Sequence, residues 1–144
     1  MNTMIAVALT FLASFYYTSH TGGPNIYGGD IAAEAEHHGI PTDIAMRLVA
    51  VESSYRPCAE SKAGAIGLAQ LMPATAAMYD STITKEKLCI PRANLHIAFS
   101  YLADLLERYD GDWHKALGAY NMGPGNMARH DYPVTDYARR IYGD

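Results

Sequence analysis

The sequence predicts an all-α domain with at most minor irregular or β elements. Apolar residues recur at steps of three and four along several stretches, with no convincing alternation of period two. Capping residues and Gly or Pro breaks stand where those stretches begin and end. At 144 residues the chain suits one such domain, long enough to bury a useful core.

The elements follow in order. Met1 to about Tyr17 carry no charge, and an apolar run from Met4 to Ala13 has the length of a secretion signal's core, short of a membrane span. No Lys or Arg precedes that run, and the small-residue pattern around Thr21-Gly22-Gly23 is a poor cleavage site. Export to the periplasm or cell envelope is the expectation, with an uncleaved membrane-associated tail as the alternative. Gly22, Gly23, Pro24, Gly28 and Gly29 read as a flexible linker, so residues 1–29 form leader and linker and 30–144 the folded domain. Asp30 is expected to cap a helix running to His38 and stopped by Gly39. Thr42 is expected to cap the next, with Ile44, Ala45, Leu48 and Val49 on one face and an end near Ser53 or Ser54, before Pro57. Gly64 and Gly67 mark a loop, and Pro73 suits the first turn of a short helix through Ala77.

From Pro91, the residues Leu95, Ala98, Phe99, Leu102, Leu105, Leu106 and Tyr109 form a buried stripe several turns long. Gly111 ends that helix and Asp112 caps the next, which carries Trp113, Ala116, Leu117 and Tyr120. Gly123-Pro124-Gly125 breaks it, and a last helix spans Thr135 to Tyr142. Loops then bring helix ends together around a cleft.

Composition excludes several classes of function. Net charge is −4 and the 11 Lys and Arg are scattered, so no basic stripe for nucleic acid exists. No phosphate-binding glycine loop with its Lys is present. The 6 His include the adjacent pair His37-His38, which a helix points in different directions, and His-Glu-x-x-His is absent; no metal or other cofactor is expected. If the chain is exported, Cys58 and Cys89 are candidates for one disulfide closing a loop of about 30 residues, worth about 3 kcal/mol; two separate buried thiols are the alternative. The 11 Tyr offer rings on which sugar faces can stack, although most Tyr residues serve core or surface packing.

One carboxylate stands out. Glu52 lies on the last turn of its helix, where the dipole disfavours a negative charge and tends to raise its pKa. Glycosidic cleavage needs a proton for the leaving oxygen and stabilisation of a positively charged sugar carbon. Most glycosidases use two carboxylates, whereas substrate-assisted enzymes use the sugar's N-acetyl carbonyl for the second. The other acids considered, Glu60, Asp80, Glu86, Asp104, Asp110 and Asp112, are placed by no motif. Several read as caps or solvated helix residues. A one-carboxylate mechanism therefore takes priority.

The chain resembles the soluble-type lytic transglycosylases, which are related in fold to goose-type lysozyme. The resemblance rests on Glu52-Ser53 with Pro57 and Ser61, on Gly64-Ala65-Ile66-Gly67-Leu68-Ala69-Gln70-Leu71-Met72-Pro73-Ala74-Thr75-Ala76, on Pro91 with Asn94 and Tyr101-Leu102, and on Ala119-Tyr120-Asn121 with Gly123-Pro124-Gly125. It covers about Ile31 to Tyr142.

This resemblance implies a lysozyme-like domain with a substrate cleft that cleaves the bond between N-acetylmuramic acid and N-acetylglucosamine in peptidoglycan glycan strands. It makes Glu52 the catalytic acid and then base, and closes a 1,6-anhydro ring without water. Ser61 would orient the N-acetyl group, Gln70 would bind glycan, the Tyr120 hydroxyl would reach the catalytic Glu, and Asn121 would line the site beside it. The bland readings are a turn serine for Ser61 and helix-end packing for Tyr120 and Asn121. Gly64 and Gly67 answer backbone demands. Ala69 replaces a family methionine, which would loosen the packing beneath the site, and Met122 stands where a small residue is common. Pro133-Val134-Thr135-Asp136-Tyr137 resembles the family's closing pattern one residue short, leaving open whether Tyr137 belongs to the cleft. A hydrolytic goose-type muramidase and a non-catalytic glycan-binding or assembly module are the alternatives. A monomer serving a secretion or conjugation apparatus, or a phage, is the expected setting.

Overall fold

The computed structural model describes residues 26–144. The expected leader and most of the linker lie outside the described residues. Gly28 and Gly29, expected in the linker, instead form the first turn of α1 (Gly28–His37), with Tyr27 at the N-cap position. Asp30 is not the cap; it sits in that first turn, where its charge suits the helix dipole. Ile31 and Ala35 are buried, and Gly39 follows with φ +68°.

Helix α2 (Thr42–Ser53) starts after Pro41, so Thr42 is its first residue, and no side chain caps it. Its buried face is Ile44, Ala45, Leu48, Val49 and Ser53, and Ser54 and Tyr55 reverse the chain in the left-handed region. Pro73 opens the short α3 (Pro73–Ala77) as expected. Helix α4 (Lys85–Leu88) was not anticipated: four residues are too few to show a period, and only the Thr84 cap, accepting from the Lys87 N–H, marks it.

Helix α5 (Pro91–Arg108) buries Leu95, Ala98, Phe99, Leu102 and Leu105, while Leu106 and Tyr109 are half-buried at the edge of the stripe. Asp112 caps α6 (Trp113–Met122), its Oδ1 accepting from the Lys115 N–H at 3.0 Å. Gly123, at φ +85°, ends α6, but Pro124 then starts a further helix, α7 (Pro124–Arg129). Proline at N1 fits a helix start as well as it fits a break, which is why this helix reads as a turn in the sequence. Thr135 caps α8 (Asp136–Tyr142), accepting from the Ala138 N–H at 3.1 Å. Among the described residues, β pairing is limited to the isolated bridges Glu60–Ile66 and Ile66–Leu71.

Helix α6 packs against α5, α7 and α8, while α2 packs against α1 and α8, and α1 also lies on α5. One apolar cluster fills the centre, with Phe99, Leu48, Leu102, Leu117 and Met127 fully buried. Gly118 makes room for Met127: a Cβ there would stand 2.7 Å from its Sδ and Cε. Cys58 and Cys89 are joined as a disulfide with Cα atoms 4.6 Å apart, tying the loop after α2 to the end of α4. No helix among the described residues is long and apolar enough to cross a membrane.

Candidate active site

The packing of α8 on α2 decides the surroundings of Glu52. The carboxylate is partly buried on the last turn of α2, and the Tyr137 hydroxyl, from α8, donates a hydrogen bond to its Oε1. Burial pushes the Glu52 carboxyl up to about 7, and the Tyr137 bond opposes that by favouring the charged form. Burial, more than the helix end, is therefore the physical source of the raised value. The phenols of Tyr137 and Tyr120 are held well above their ordinary range by burial and by the Glu52 charge.

A cleft of about 440 Å³ opens over Glu52. Ser61, Ala63 and Ala65 line one part of it, with Gln70, Leu71, Met72 and Thr75 beyond. Tyr101, Tyr120, Asn121, Met122 and Gly123 complete the lining. All five site residues read from the sequence, Glu52, Ser61, Gln70, Tyr120 and Asn121, thus converge on one cleft. Tyr120, however, does not bond to Glu52. Its hydroxyl donates to the Ala69 carbonyl at 2.7 Å, and Tyr137 takes the place at the carboxylate. The apparent one-residue shortfall in the tail obscured Tyr137, and only the α2–α8 packing brings it in.

The loop from Ala59 to Leu71 is built to hold its shape. Ser61 Oγ accepts from the Ala65 N–H at 3.0 Å, and the Gly67 N–H donates to the Ala59 carbonyl at 2.9 Å. Gln70 takes φ +51° and donates from Nε2 to the carbonyls of Ala59 and Gly67 at 2.9 and 3.0 Å. Beneath the loop Asn94 of α5, fully buried, accepts from the Ala69 N–H at 2.9 Å. Its Nδ2 donates to the carbonyls of Ile66 and Leu88 at 2.9 and 3.0 Å. Ala69 is fully buried, with its N–H held by Asn94 and its carbonyl by Tyr120.

The other acids are occupied elsewhere. Glu60 pairs with Lys85 at 2.7 Å, Asp80 accepts from Thr82, Asp104 accepts from the Tyr79 hydroxyl at 2.6 Å, and Asp112 is a helix cap. Glu86 sits in the first turn of α4 and Asp110 occupies the left-handed turn after α5. Among the described residues lining the cleft, Glu52 is the sole acid. The histidines differ from expectation: His37 and His38 do not simply diverge, because His96 of α5 meets both.

Fold and site together define an α-helical, lysozyme-like cleft domain with one acid among the described residues that line its cleft. The chain belongs to the transglycosylase SLT domain family, whose model matches residues 30–140. It is 32% identical over 107 residues to the peptidoglycan transglycosylase gp16 of Escherichia phage T7, covering 72% of this chain and 8% of that protein. The soluble lytic murein transglycosylase of Escherichia coli K12 is 33% identical over 94 residues, covering 61% of this chain and 15% of that protein. Among solved structures, the 70 kDa soluble lytic transglycosylase SLT70 of Escherichia coli superposes with a TM-score of 0.66 at 28% identity, over 80% of this chain and 19% of that one. The chain thus spans a small part of the length of these relatives.

Proposed function

We propose that this chain is a peptidoglycan lytic transglycosylase acting in the cell envelope, and that it cuts the β-1,4 bond between N-acetylmuramic acid and N-acetylglucosamine. One observation carries the reading: the sole acid among the described cleft-lining residues is one whose proton is retained close to neutral pH. Protonated Glu52 donates to the glycosidic oxygen as the C1–O bond breaks, while the muramoyl N-acetyl carbonyl oxygen attacks C1 and forms an oxazolinium ion. The Glu52 carboxylate then removes the proton of the sugar's 6-hydroxyl. O6 attacks C1, the oxazolinium opens, and a 1,6-anhydro end results with Glu52 protonated again. No water is consumed.

The neighbours suit this chemistry. Ser61 Oγ accepts from Ala65, so its own hydrogen remains to donate to the N-acetyl carbonyl. Gln70 commits Nε2 to the backbone, which turns Oε1 to sugar hydroxyls. Tyr120, its hydroxyl engaged by Ala69, contributes ring surface beside Tyr101, centroid to centroid 5.4 Å, for an apolar sugar face. Asn121 supplies an exposed amide at the rim. The Cys58–Cys89 bridge suits an oxidising, exported location.

Purified sacculi test the proposal. Wild type is expected to release anhydro-ended muropeptides and Glu52→Gln to lose about 10²–10⁴-fold in rate. Equal clearing by the two proteins would remove Glu52 from the chemistry. Reducing ends in the digest would indicate a hydrolytic muramidase, and binding without cleavage a non-catalytic glycan-binding module.

A further inference from the structure

We propose that Glu34, His37, His38 and His96 form a binding site for a first-row divalent transition ion, Zn²⁺ foremost, which fastens the end of α1 to α5. Packing of α1 on α5 brings His96 against the adjacent pair, so that one ring nitrogen from each of the three histidines lies within 4.8 Å of the others. Glu34, one turn before His38 on the same helix, adds a carboxylate. His38 Nε2 is 3.3 Å from His96 Nδ1, Glu34 Oε2 is 3.1 Å from His96 Nδ1, and His38 Nε2 is 3.7 Å from Glu34 Oε2.

Hydrogen bonding can hold this triangle only through one proton that His96 Nδ1 shares between Glu34 Oε2 and His38 Nε2. A ring nitrogen holds either one proton or one lone pair, so His96 Nδ1 cannot donate to the Glu34 carboxylate and also accept from His38. A central cation accepts lone pairs from all of these atoms. Tetrahedral Zn²⁺, with bonds of about 2.0–2.1 Å, places its ligand atoms about 3.3–3.4 Å apart. The three observed separations among Glu34, His38 and His96 bracket that edge, and His37, with a ring nitrogen within 4.8 Å of those of His38 and His96, would draw in as fourth ligand.

The donor set names the ion class. Imidazole nitrogens with one carboxylate suit Zn²⁺, Cu²⁺ or Ni²⁺, whereas Ca²⁺ and Mg²⁺ take oxygen shells. The other Glu34 oxygen faces Arg92, whose Nε is 4.0 Å away and 3.8 Å from Asp30 Oδ1, which leaves Oε2 turned toward the imidazoles. His96 is 54% exposed and Glu34 13%, so an ion can enter while the carboxylate stays shielded. None of the four residues lines the Glu52 cleft. The site therefore joins two helices and leaves the glycan path free.

The test uses the untagged full chain, stripped with a chelator and titrated with ZnCl₂ by calorimetry. Co²⁺ absorption reports coordination geometry, and thermal melting is followed with and without Zn²⁺. One equivalent is expected to bind, with tetrahedral Co²⁺ bands and a melting temperature that rises with Zn²⁺ concentration, since the ion favours the folded state. His96→Ala and Glu34→Gln are expected to weaken binding by more than about 10-fold, a loss seen even for outer-shell partners of metal sites. His114→Ala and His130→Ala should bind as wild type does. Glu34→Gln keeps the helix and side-chain size, so a loss there is not one of folding. Absence of one-to-one binding at millimolar Zn²⁺, unchanged affinity in both site variants, or an equal loss in the His114 and His130 variants overturns the site.

Discussion

Tyr137 reaches across 85 positions of sequence to donate its hydroxyl to Glu52 Oε1, closing the back of the carboxylate while the cleft lies open at its front. The two influences on Glu52 oppose each other. Burial disfavours the charge and the phenol stabilises it, and their balance sets the acid at about 7. A group with that value can give its proton at the start of a reaction and take one back later, as the proposed two-step chemistry requires.

Tyr137→Phe should therefore move the pH profile and not simply lower it. In the proposed mechanism free enzyme with protonated Glu52 is the active form, so kcat/KM is expected to be level below about 7 and to fall tenfold per pH unit above it. Removing the phenolic hydrogen bond takes away the influence that favours the carboxylate against burial, and the basic limb should shift to higher pH. Rates of sacculus clearing from pH 5 to 9 measure it. A uniform drop with an unmoved limb would make Tyr137 a packing residue only.

The same raised value has a consequence for stability. Between its ordinary 4.5 and about 7, Glu52 holds more proton in the folded chain than in the unfolded one, so stability falls as pH rises through that window. The gap corresponds to about 3 kcal/mol at full ionisation. Glu52→Gln carries no charge to bury. It is expected to match wild type in urea unfolding near pH 4 and to exceed it by up to about 3 kcal/mol at pH 8. Equal stability of the two proteins at pH 8 would show that the carboxylate is not held against its burial.

The long helices were legible because each presents a buried face at helical spacing: Leu95, Ala98, Phe99 and Leu102 declare α5 without reference to anything else. Helices α4 and α7 were not, since four and six residues give no period and Pro124 reads equally as a stop or a start. At the site, Glu52, Ser61, Gln70, Tyr120 and Asn121 lie in motifs whose order and spacing survive in one dimension. Tyr137 and His96 owe their places to helix packing, α8 on α2 and α5 on α1, which no local pattern records. Tyr120 shows the converse: a motif can place a residue in the cleft without fixing which partner its hydroxyl takes.

Gly67 and Gly64 separate backbone strain from steric fit. Both lie at positive φ, +89° and +91°, so alanine at either position costs about 1–2 kcal/mol in backbone strain. A Cβ at Gly64 meets nothing within 4 Å, whereas one at Gly67 would stand 2.2 Å from Asn94 Nδ2 and 2.5 Å from the Leu88 carbonyl oxygen. Asn94 cannot retreat freely, because it holds Ala69, Ile66 and Leu88 at once and each buried group it abandons costs about 1–3 kcal/mol. Gly67→Ala should thus destabilise by about 3 kcal/mol or more, and Gly64→Ala by no more than the strain alone. Activity should follow the same order. Ala69 and Gln70 ride on this loop, and Tyr120 is anchored to the Ala69 carbonyl, so displacement at Gly67 reaches the cleft wall. Urea unfolding and sacculus clearing on the two variants decide the matter. A Gly67→Ala protein no less stable than Gly64→Ala would mean that Asn94 does not hold the loop as the geometry indicates.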